Sequence, residues 1–414
     1  MTAGQVIGRR SANDEVRAAV IGVRGRGSNL MRDLHGVEGV RVVALCDPDR
    51  QVLAERAKWF DEQGKPVEQV ADLRRLLERK DIDVIATATP NHWHALVTIW
   101  ALQTGRHVYC EKPVSHNVFE GRQMVNASRH YDRVVQTGTQ SRSSQAMREA
   151  IGWLQAGGLG AMKFATATCY KPRQSIGRLD APLKIPDHID FDLWTGPAAM
   201  QDIMRPNLHY DWHWDFNTGN GDLGNQGIHQ MDIARWATGA NTLSSRILSV
   251  GGRFGYEDAA DTPNSMVTWH EYPVPIIFEV RGLPRDASSR SNWGKSMDTH
   301  HGMSVGAAVV CEQGHIRFPN YQSAVAFDND GNEVKRWQGA SNHMANFIDA
   351  ARRNDRNVLN ADILEGHLSS ALCHTGNISY RLGSHHRPEE VRDRLRSNPV
   401  ASDSFERLAA HLDA

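Results

Sequence analysis

A glycine-rich turn near the start of the chain constrains its fold more than any other segment. Residues 18–27 read Ala-Ala-Val-Ile-Gly-Val-Arg-Gly-Arg-Gly, so an apolar run ends on glycines before an amphipathic stretch begins at Ser28. This order is typical of a β-strand that turns tightly into a helix and presents backbone N–H groups to a phosphate. The segment therefore predicts a dinucleotide-binding turn at the edge of a parallel sheet.

The glycine pattern of this turn is incomplete. In the pattern Gly-x-Gly-x-x-Gly, the glycines serve the turn, the close approach of the backbone to phosphate and helix–strand packing. The corresponding residues here are Gly22, Arg24 and Gly27. We expect Gly25 to permit the turn in place of the missing glycine. We expect Arg24 or Arg26 to reach the pyrophosphate with its guanidinium group.

An acidic residue follows at the spacing that a dinucleotide site requires. Asp47 ends the second predicted strand, twenty residues beyond Gly27. A carboxylate there accepts hydrogen bonds from the adenosine ribose and repels a 2′-phosphate, so Asp47 predicts NAD rather than NADP. A simple strand-end turn at Asp47-Pro-Asp49 is the alternative.

The order of predicted elements divides the chain into two domains and a tail. Strands at 16–21, 40–46, 82–87, 107–110 and 134–137 alternate with helices at 28–35, 51–63, 70–79, 94–104 and 118–131. This alternation predicts an α/β domain at 15–140 with a doubly wound parallel Rossmann sheet. Later strands, at 162–168, 246–251, 264–270, 275–281, 307–312 and 314–318, lack intervening helices. They predict an antiparallel or mixed sheet in an α+β domain at 141–385, with helices at 227–238, 343–352 and 363–383. Residues 386–414 form a charged tail without a structural assignment.

Composition excludes several classes of protein. The 47 Lys and Arg residues balance 48 Asp and Glu residues, so no basic excess indicates nucleic acid, and no apolar run has the length of a membrane span. Five scattered cysteines without a Cys-x-x-Cys pair predict free thiols in a reducing, cytoplasmic compartment. Arg9-Arg10 would also suit an export signal, but no apolar segment and cleavage site follow. An exported form that has lost its leader is the alternative.

A lysine follows the strand predicted at 107–110, within Glu111-Lys112-Pro113. The carboxyl edge of a parallel sheet is where ligands bind. A partly desolvated lysine beside the positive nicotinamide ring has a lowered pKa, so Lys112 is predicted to accept a hydroxyl proton as hydride leaves carbon. A solvated surface lysine is the alternative.

Two strings carry a family resemblance. Residues 86–94 read Ala-Thr-Ala-Thr-Pro-Asn-His-Trp-His, and residues 101–113 read Ala-Leu-Gln-Thr-Gly-Arg-His-Val-Tyr-Cys-Glu-Lys-Pro. Together with the glycine turn they resemble the Gfo/Idh/MocA oxidoreductases, the family of glucose–fructose oxidoreductase and inositol dehydrogenase, over roughly residues 16–385. The resemblance implies a Rossmann domain, a second domain with a large open sheet, tightly held NAD(H) and a sugar or polyol substrate. It also implies a homo-oligomer, a dimer or tetramer, that associates through the open sheet.

The resemblance also assigns residues. Thr89, Asn91, His94 and Glu111 fall at cofactor positions, and the proline after the lysine is often cis in this family. The second family motif is an Asp followed four residues later by a His. The histidine matches His229, whereas the aspartate position holds Asn225 and the nearby Asp222 is not its equivalent.

This departure affects the predicted chemistry. Asn225 can orient a hydroxyl but cannot take a proton, so proton transfer would depend on Lys112 and His229. A capping or packing histidine is the alternative for His229. We also considered a metal site at His92-x-His94, but two histidines are weak evidence, and no metal is predicted.

Residues 207–216 are rich in aromatic and hydrogen-bonding side chains. Aromatic faces that stack on sugar C–H groups suit a carbohydrate pocket, and a buried cluster that fixes a long loop is the alternative. The predicted substrate residues are Tyr170, His213, Trp214 and Asp222.

Three functions fit these features. The first is an NAD-dependent sugar or polyol dehydrogenase. The second is a redox glycosidase that oxidises a sugar hydroxyl, eliminates the aglycone, adds water and returns the hydride, with no net redox change. The third is a non-enzymatic NAD(H) sensor, for which Arg24 and Asn225 would represent lost function. Fold alone does not separate them.

Overall fold

The structure is a computed structural model that describes residues 15–340 and 342–414. The polar N-terminal segment with Arg9 and Arg10 lies outside the described residues. None of the helices in the described ranges combines the length and the apolar run that a membrane span needs. All five cysteines are buried free thiols.

The first sheet has six parallel strands in the order β3-β2-β1-β4-β5-β6. Because this order reverses beside β1, the carboxyl ends of β1 and β4 form the crevice where doubly wound folds bind ligands. The strands are β1 Val16–Ile21, β2 Val40–Cys46, β3 Glu68–Val70, β4 Val84–Thr87, β5 His107–Cys110 and β6 Val135–Thr137. The helices are α1 Gly25–His35, α2 Arg50–Glu62, α3 Leu73–Glu78, α4 Asn91–Gln103 and α5 Val118–His130.

The predicted Rossmann arrangement is therefore confirmed, with one local error. The predicted helix at 70–79 is in fact strand β3 followed by the shorter helix α3. The side chain of Asp72 accepts a hydrogen bond from the Arg74 N–H and so starts α3 after the strand.

The second sheet has eight strands in the order β14-β13-β12-β11-β7-β10-β9-β8. Every neighbouring pair is antiparallel except β7 and β10. The strands are β7 Met162–Tyr170, β8 Ile247–Gly252, β9 Ser265–His270, β10 Ile276–Arg281, β11 Val305–Cys311, β12 Gly314–Phe318, β13 Ser323–Asp328 and β14 Glu333–Gln338. The helices that precede the tail are α6 Gln145–Gln155, α7 Phe191–Thr195, α8 Ile228–Thr238, α9 His343–Arg353 and α10 Ile363–Arg381. The prediction of a mostly antiparallel second sheet is confirmed, although α6, α7, β13 and β14 were not predicted.

Two later parts of the chain cover the sheets. Helix α9 returns to the first domain, where Phe347 and Ile348 join the core beneath the Rossmann sheet. The charged tail forms α11, Pro388–Leu395, and α12, Pro399–Asp413. Leu408 of α12 packs against Val267 and Ile277 on the outer face of the second sheet. The tail is therefore an ordered cover over part of that sheet.

Candidate active site

One cavity of about 1260 Å³ lies between the carboxyl edge of the first sheet and the second domain. Most residues that the sequence assigned to the cofactor and to proton transfer line this cavity. They are Gly22, Arg24, Gly25, Arg26, Asp47, Thr89, Asn91, His94, Glu111, Lys112, Asn225 and His229. The structure therefore brings together groups that lie up to two hundred residues apart.

The glycine turn leaves no room for side chains at two positions. Gly22 has a φ of +75°, and a Cβ there would lie 2.8 Å from the Thr89 backbone nitrogen. A Cβ on Gly27 would lie 1.7 Å from the Gly22 carbonyl oxygen, so this glycine lets α1 begin against the end of β1. Gly27 thus serves packing and is not part of the cavity lining.

The departure from the glycine pattern is accommodated within the turn. Arg24 adopts an extended backbone with a φ of −81°, which any residue can take, and Gly25 takes the positive φ of +42°. The Arg24 side chain does not cap the N-terminus of α1. The Arg24 guanidinium makes no hydrogen bond to the described residues, whereas Arg26 donates through Nε to Glu111 Oε1 at 2.8 Å. Of the two arginines, Arg24 is the one available to an anionic ligand.

Asp47 lies at the end of β2 and lines the cavity. Its Oδ2 accepts the Val23 N–H at 2.9 Å and its Oδ1 accepts the Asp49 N–H at 3.0 Å. Burial raises the pKa of Asp47 to about 6, against these hydrogen bonds, which favour the charged form. The carboxylate is therefore ionised at neutral pH, and its remaining lone pairs can accept ribose hydroxyls.

The chain after β4 supplies further polar groups. Asn91 is buried, and its side-chain Nδ2 has no hydrogen-bond partner among the described residues. His94 lies between two loops, with Nδ1 2.6 Å from the Pro113 carbonyl oxygen and Nε2 2.8 Å from the Thr89 carbonyl oxygen. Its ring therefore lies between the segment that follows Lys112 and the loop that follows β4.

Lys112 lies where the two domains meet. Its Nζ donates to the backbone carbonyl of Asn225 at 2.5 Å and to no other described residue. Burial lowers the pKa of Lys112, and the negative charge of Glu111 opposes that shift. The Lys112–Pro113 peptide is cis, as the resemblance implies. The amine can therefore exchange a proton with a ligand in the cavity more readily than an exposed lysine.

The Asn225 carbonyl belongs to a π-helical turn, Leu223–Gly227, which we call the π-turn. It leads directly into α8, where His229 lies one residue past the helix start. Burial and the positive charge of Lys112 lower the pKa of His229 well below its usual range. Its neutral imidazole lies 4.6 Å from the ring of Tyr321, between centroids, and can accept a proton or hydrogen-bond a hydroxyl.

An aromatic strap closes the far side of the cavity. We call residues 171–218, between β7 and the loop before the π-turn, the strap. Tyr210, Trp212 and His213 of the strap line the cavity, and the Trp212 and His213 rings stack at 3.6 Å. His188 and His209 of the strap contact the Asp49 carboxylate at 2.9 and 3.1 Å. The strap therefore supplies aromatic side chains to one wall of the cavity, and its two histidines hold it against the first domain.

Three predicted substrate residues do not line the cavity. Tyr170 points to the opposite face of the second sheet from its neighbour Cys169, because side chains alternate along β7, and its hydroxyl donates to Glu279. Trp214 is buried beneath the Arg173 guanidinium, which lies 4.9 Å from its ring. Asp222 forms a buried ion pair with Arg173.

The two histidines of the metal alternative contact backbone carbonyls. The ring nitrogens of His92 lie 3.3 and 3.2 Å from the carbonyl oxygens of Thr218 and Trp194. Across the described ranges, no group of three His, Cys, Asp or Glu side chains is placed to hold a metal ion.

Several cavity residues were not predicted. Trp93 lies in the segment 86–94 and Trp212 in the aromatic segment 207–216, so their aromatic side chains could have been predicted to line a sugar site. Tyr321 and His343 come from the β12–β13 loop and the start of α9, and no local motif marks them.

Two family models match the chain. The model described as an oxidoreductase family with an NAD-binding Rossmann fold matches residues 16–139, and its C-terminal alpha/beta domain matches residues 164–289. The chain belongs to the Gfo/Idh/MocA oxidoreductase family. Its N-terminal domain is an NAD-binding Rossmann domain, and NAD is its cofactor.

The residues of the cavity fit this cofactor. Gly25 lines the cavity and has open space where a side chain would stand, so a ligand can approach the backbone there, and Arg24 is available to a pyrophosphate. Asp47 retains lone pairs for ribose hydroxyls, and the unpaired Asn91 amide faces a buried environment with no protein partner among the described residues. Such a buried amide calls for a ligand partner.

Curated relatives align with only part of their length. A Solibacter usitatus protein named glycosyl hydrolase family 109 protein is 33% identical over 123 residues, or 28% of this chain and 28% of that protein. A Shewanella pealeana protein of the same name is 36% identical over 120 residues, or 28% of this chain and 26% of that protein. The chain thus matches about a quarter of each relative.

Solved structures resemble the whole fold. The WlbA dehydrogenase from Bordetella pertussis, in complex with NADH and UDP-GlcNAcA, is 18% identical with a TM-score of 0.65, over 89% of this chain and 98% of that one. An aldose-aldose oxidoreductase from Caulobacter crescentus, complexed with glycerol, is 16% identical with a TM-score of 0.64, over 89% and 98%. At these identities the likeness shows the fold alone.

Proposed function

We propose that this protein oxidises a hydroxyl group of a sugar, a sugar derivative or a polyol with NAD as the hydride acceptor. The observation that carries the proposal is the Lys112 amine, which lies between the glycine turn and the aromatic strap with the Asn225 carbonyl as its one hydrogen-bond acceptor among the described residues. Aromatic side chains such as Trp212 suit the C–H faces of a sugar.

In this proposal, three side chains of the cavity have different roles. Lys112 takes the proton of the reacting hydroxyl through Nζ, and bound NAD supplies the acceptor for the hydride. The neutral His229 ring accepts a hydrogen bond or a proton from a neighbouring position. The Asn225 side chain orients a hydroxyl without changing its charge.

A redox glycosidase is the second candidate, favoured by the names of the Solibacter and Shewanella relatives. The cavity also bears on this choice. Conventional glycosidases use two carboxylates that flank the scissile bond. The cavity carboxylates of the described residues are Asp33, Asp47, Asp72 and Glu111, all from the first domain. Glycoside cleavage here would therefore proceed through oxidation, which acidifies the ring C–H next to the new ketone.

One reaction followed in two ways tests both candidates. Purified protein with NAD is given a panel of free sugars, polyols and chromogenic glycosides, while reduced nicotinamide and released aglycone are recorded together. Stoichiometric reduced nicotinamide with a free sugar supports the dehydrogenase. Aglycone release without accumulation of reduced nicotinamide supports the glycosidase. NAD binding without turnover on any member of the panel contradicts both and leaves the sensor hypothesis.

The predicted homo-oligomer stays a prediction. Helix α12 covers part of the outer face of the second sheet, through which the resemblance implies association. Light scattering of the purified protein measures its mass directly and tests whether this chain is a dimer, a tetramer or a monomer.

A further inference from the structure

The π-turn holds the only described acceptor for the Lys112 amine, so whatever fixes this turn also fixes the lysine. The acceptor is the backbone carbonyl of Asn225, in the middle of Leu223–Gly227. Single π-helical turns are frequent at functional sites, and their hydrogen-bond ladder is less regular than that of an α-helix. The position of the π-turn therefore depends on its side-chain contacts with neighbouring segments.

A buried ion pair lies at the start of the π-turn. Asp222 directly precedes it, and the Asp222 side chain is 1% exposed. Arg173 donates Nε to Oδ2 and Nη2 to Oδ1, both at 2.6 Å, and its guanidinium lies over the Trp214 ring. A bidentate pair of this kind fixes direction as well as distance. No carboxylate other than Asp222 pairs with Arg173 among the described residues.

A weaker contact holds the other side of the turn. Lys171 Nζ donates to Gln226 Oε1 at 3.2 Å, and Gln226 Nε2 donates to the Tyr321 hydroxyl at 2.8 Å. Lys171 and Arg173 lie within three residues of the end of β7. The segment after this one strand therefore contacts the π-turn region both before and after Asn225. The backbone of Arg173 is itself fixed, because its N–H donates to the Gly282 carbonyl at 2.8 Å.

We propose that Arg173 is a positioning residue for Lys112, which it controls through Asp222 and the π-turn. The ion pair holds the Asn225 carbonyl at the lysine amine, and it also neutralises the Asp222 carboxylate behind that carbonyl. This inference rests on the proposed role of Lys112 in proton transfer. Arg173 does not line the cavity, so it acts on the reaction only through other residues.

The charges around Lys112 determine whether each substitution raises or lowers the pKa of this lysine. Asp222 and Glu111 raise the pKa of Lys112, whereas burial, Arg26 and Lys171 lower it. Loss of the Arg173 charge leaves Asp222 unbalanced and stabilises the ammonium form of the lysine. Loss of the Asp222 charge leaves Arg173 unbalanced and favours the neutral amine. The two substitutions therefore shift the lysine in opposite directions.

The groups that face Lys112 come from every packed element. They are Glu111 beside it, Arg26 of α1, His94 of α4, Cys169 of β7, Lys171 after β7, His213 of the strap, Asp222 before the π-turn, His229 of α8 and Cys373 of α10. Burial lowers the pKa of the three histidines and raises that of the two thiols, so the predicted shifts follow from the Arg173 and Asp222 charges.

Competitive labelling of lysines with acetic anhydride, read by mass spectrometry across a range of pH, tests this directly. It reports the pKa of Lys112 without any substrate, with the exposed Lys184 as internal standard. Arg173→Gln is expected to raise the labelling pKa of Lys112 by about one unit, and Asp222→Asn is expected to lower it by about one unit. Arg173→Lys keeps the charge and is expected to leave it near the wild-type value.

The chain offers a matched control. Arg129 and Asp362 form a bidentate, partly buried pair at 3.0 and 2.5 Å, and neither lines the cavity. Arg129→Gln therefore reports the general effect of breaking an ion pair and should leave the Lys112 pKa unchanged.

A double variant guards against misfolding. If Arg173→Gln alone fails to fold, Arg173→Gln with Asp222→Asn removes both charges and pairs two amides. The double variant is expected to restore the Lys112 pKa while turnover stays below the wild-type rate. An unchanged Lys112 pKa in folded Asp222→Asn, or an equal shift in Arg129→Gln, overturns the proposal. These outcomes do not depend on which sugar, if any, is oxidised.

Discussion

The two walls of the cavity are built in different ways. The first-domain wall consists of short contiguous segments at the ends of parallel strands, and backbone geometry fixes its groups, as at Gly22 and Gly27. The second wall is assembled from the strap, the π-turn, α8, the β12–β13 loop and the start of α9, and side-chain contacts such as Arg173–Asp222 hold it together. The first wall can be recognised in a sequence, whereas the second must be found in the fold.

Lys112 lies where the walls meet, so its replacement should have the largest effect. Lys112→Met is expected to lower turnover about 10²- to 10⁴-fold, because a positioned acid–base group contributes that much. NAD affinity is expected to stay close to that of the wild type, since the glycine turn is untouched. Steady-state kinetics and NAD titration measure both. The exposed Lys163→Met is the matched control, and full turnover in Lys112→Met would remove the residue from the mechanism.

The first wall should be intolerant of a single methyl group. In Gly27→Ala the new Cβ would meet the Gly22 carbonyl oxygen at 1.7 Å, and both atoms belong to the backbone, so α1 must move away from β1. We expect a loss of about 3 kcal/mol in unfolding free energy and of NAD binding. Denaturant unfolding with and without NAD measures the change.

Gly152→Ala is the control for that experiment. Gly152 lies within α6, and a Cβ there meets no atom within 4 Å. The substitution is expected to stabilise the protein by up to about 1 kcal/mol, as alanine does in a helix. Equal stability losses in the two variants would contradict the packing role of Gly27.

The choice of cofactor should depend on one carboxylate of the first wall. Asp47→Asn is expected to reduce the preference for NAD over NADP by about tenfold to hundredfold. This factor corresponds to the free energy of hydrogen bonds to a charged group. Because the pKa of Asp47 is about 6, the wild-type carboxylate is charged above this pH and protonated below it. The wild-type preference should therefore weaken as pH falls below 6. The exposed Asp61→Asn serves as the control, and a preference that ignores both pH and Asp47→Asn refutes the assignment.

Single substitutions in the second wall should change the kinetic constants less than those in the first wall. Trp212→Ala is expected to raise KM for the sugar about tenfold, the scale of one aromatic contact, while NAD affinity stays constant. Phe119→Ala is the control, because Phe119 is 72% exposed and lies outside the cavity. A weaker NAD affinity with an unchanged KM would mean that Trp212 belongs to the cofactor site instead.

The sequence predicted the first domain well because its signals are local. Strands and helices alternate, and the glycine turn, Asp47 and Glu111-Lys112-Pro113 all follow strands at the same sheet edge. The second sheet was predicted less completely. Strand β14, Glu333–Gln338, is exposed at every residue but Trp337, so it lacks the apolar alternation that reveals a strand.

The substrate residues were the least predictable part of the site. Tyr170 and Trp214 carry suitable chemistry, but strand alternation and burial direct them away from the cavity. Asp222 was predicted to contact the substrate, yet Arg173, about fifty residues earlier, forms a buried ion pair with it. The side chains that these residues meet belong to distant segments, and no local pattern records such contacts.

The central claim is that NAD and a sugar hydroxyl react in one cavity under the control of Lys112. The most direct measurement is rapid mixing of NAD-loaded protein with the sugar, polyol or glycoside panel, with reduced nicotinamide recorded during the first turnover. We predict that the wild type forms up to one reduced nicotinamide per site and that Lys112→Met forms it at least about a hundredfold more slowly. Reduction at the same rate in both proteins, or no reduction with any member of the panel, would contradict the account.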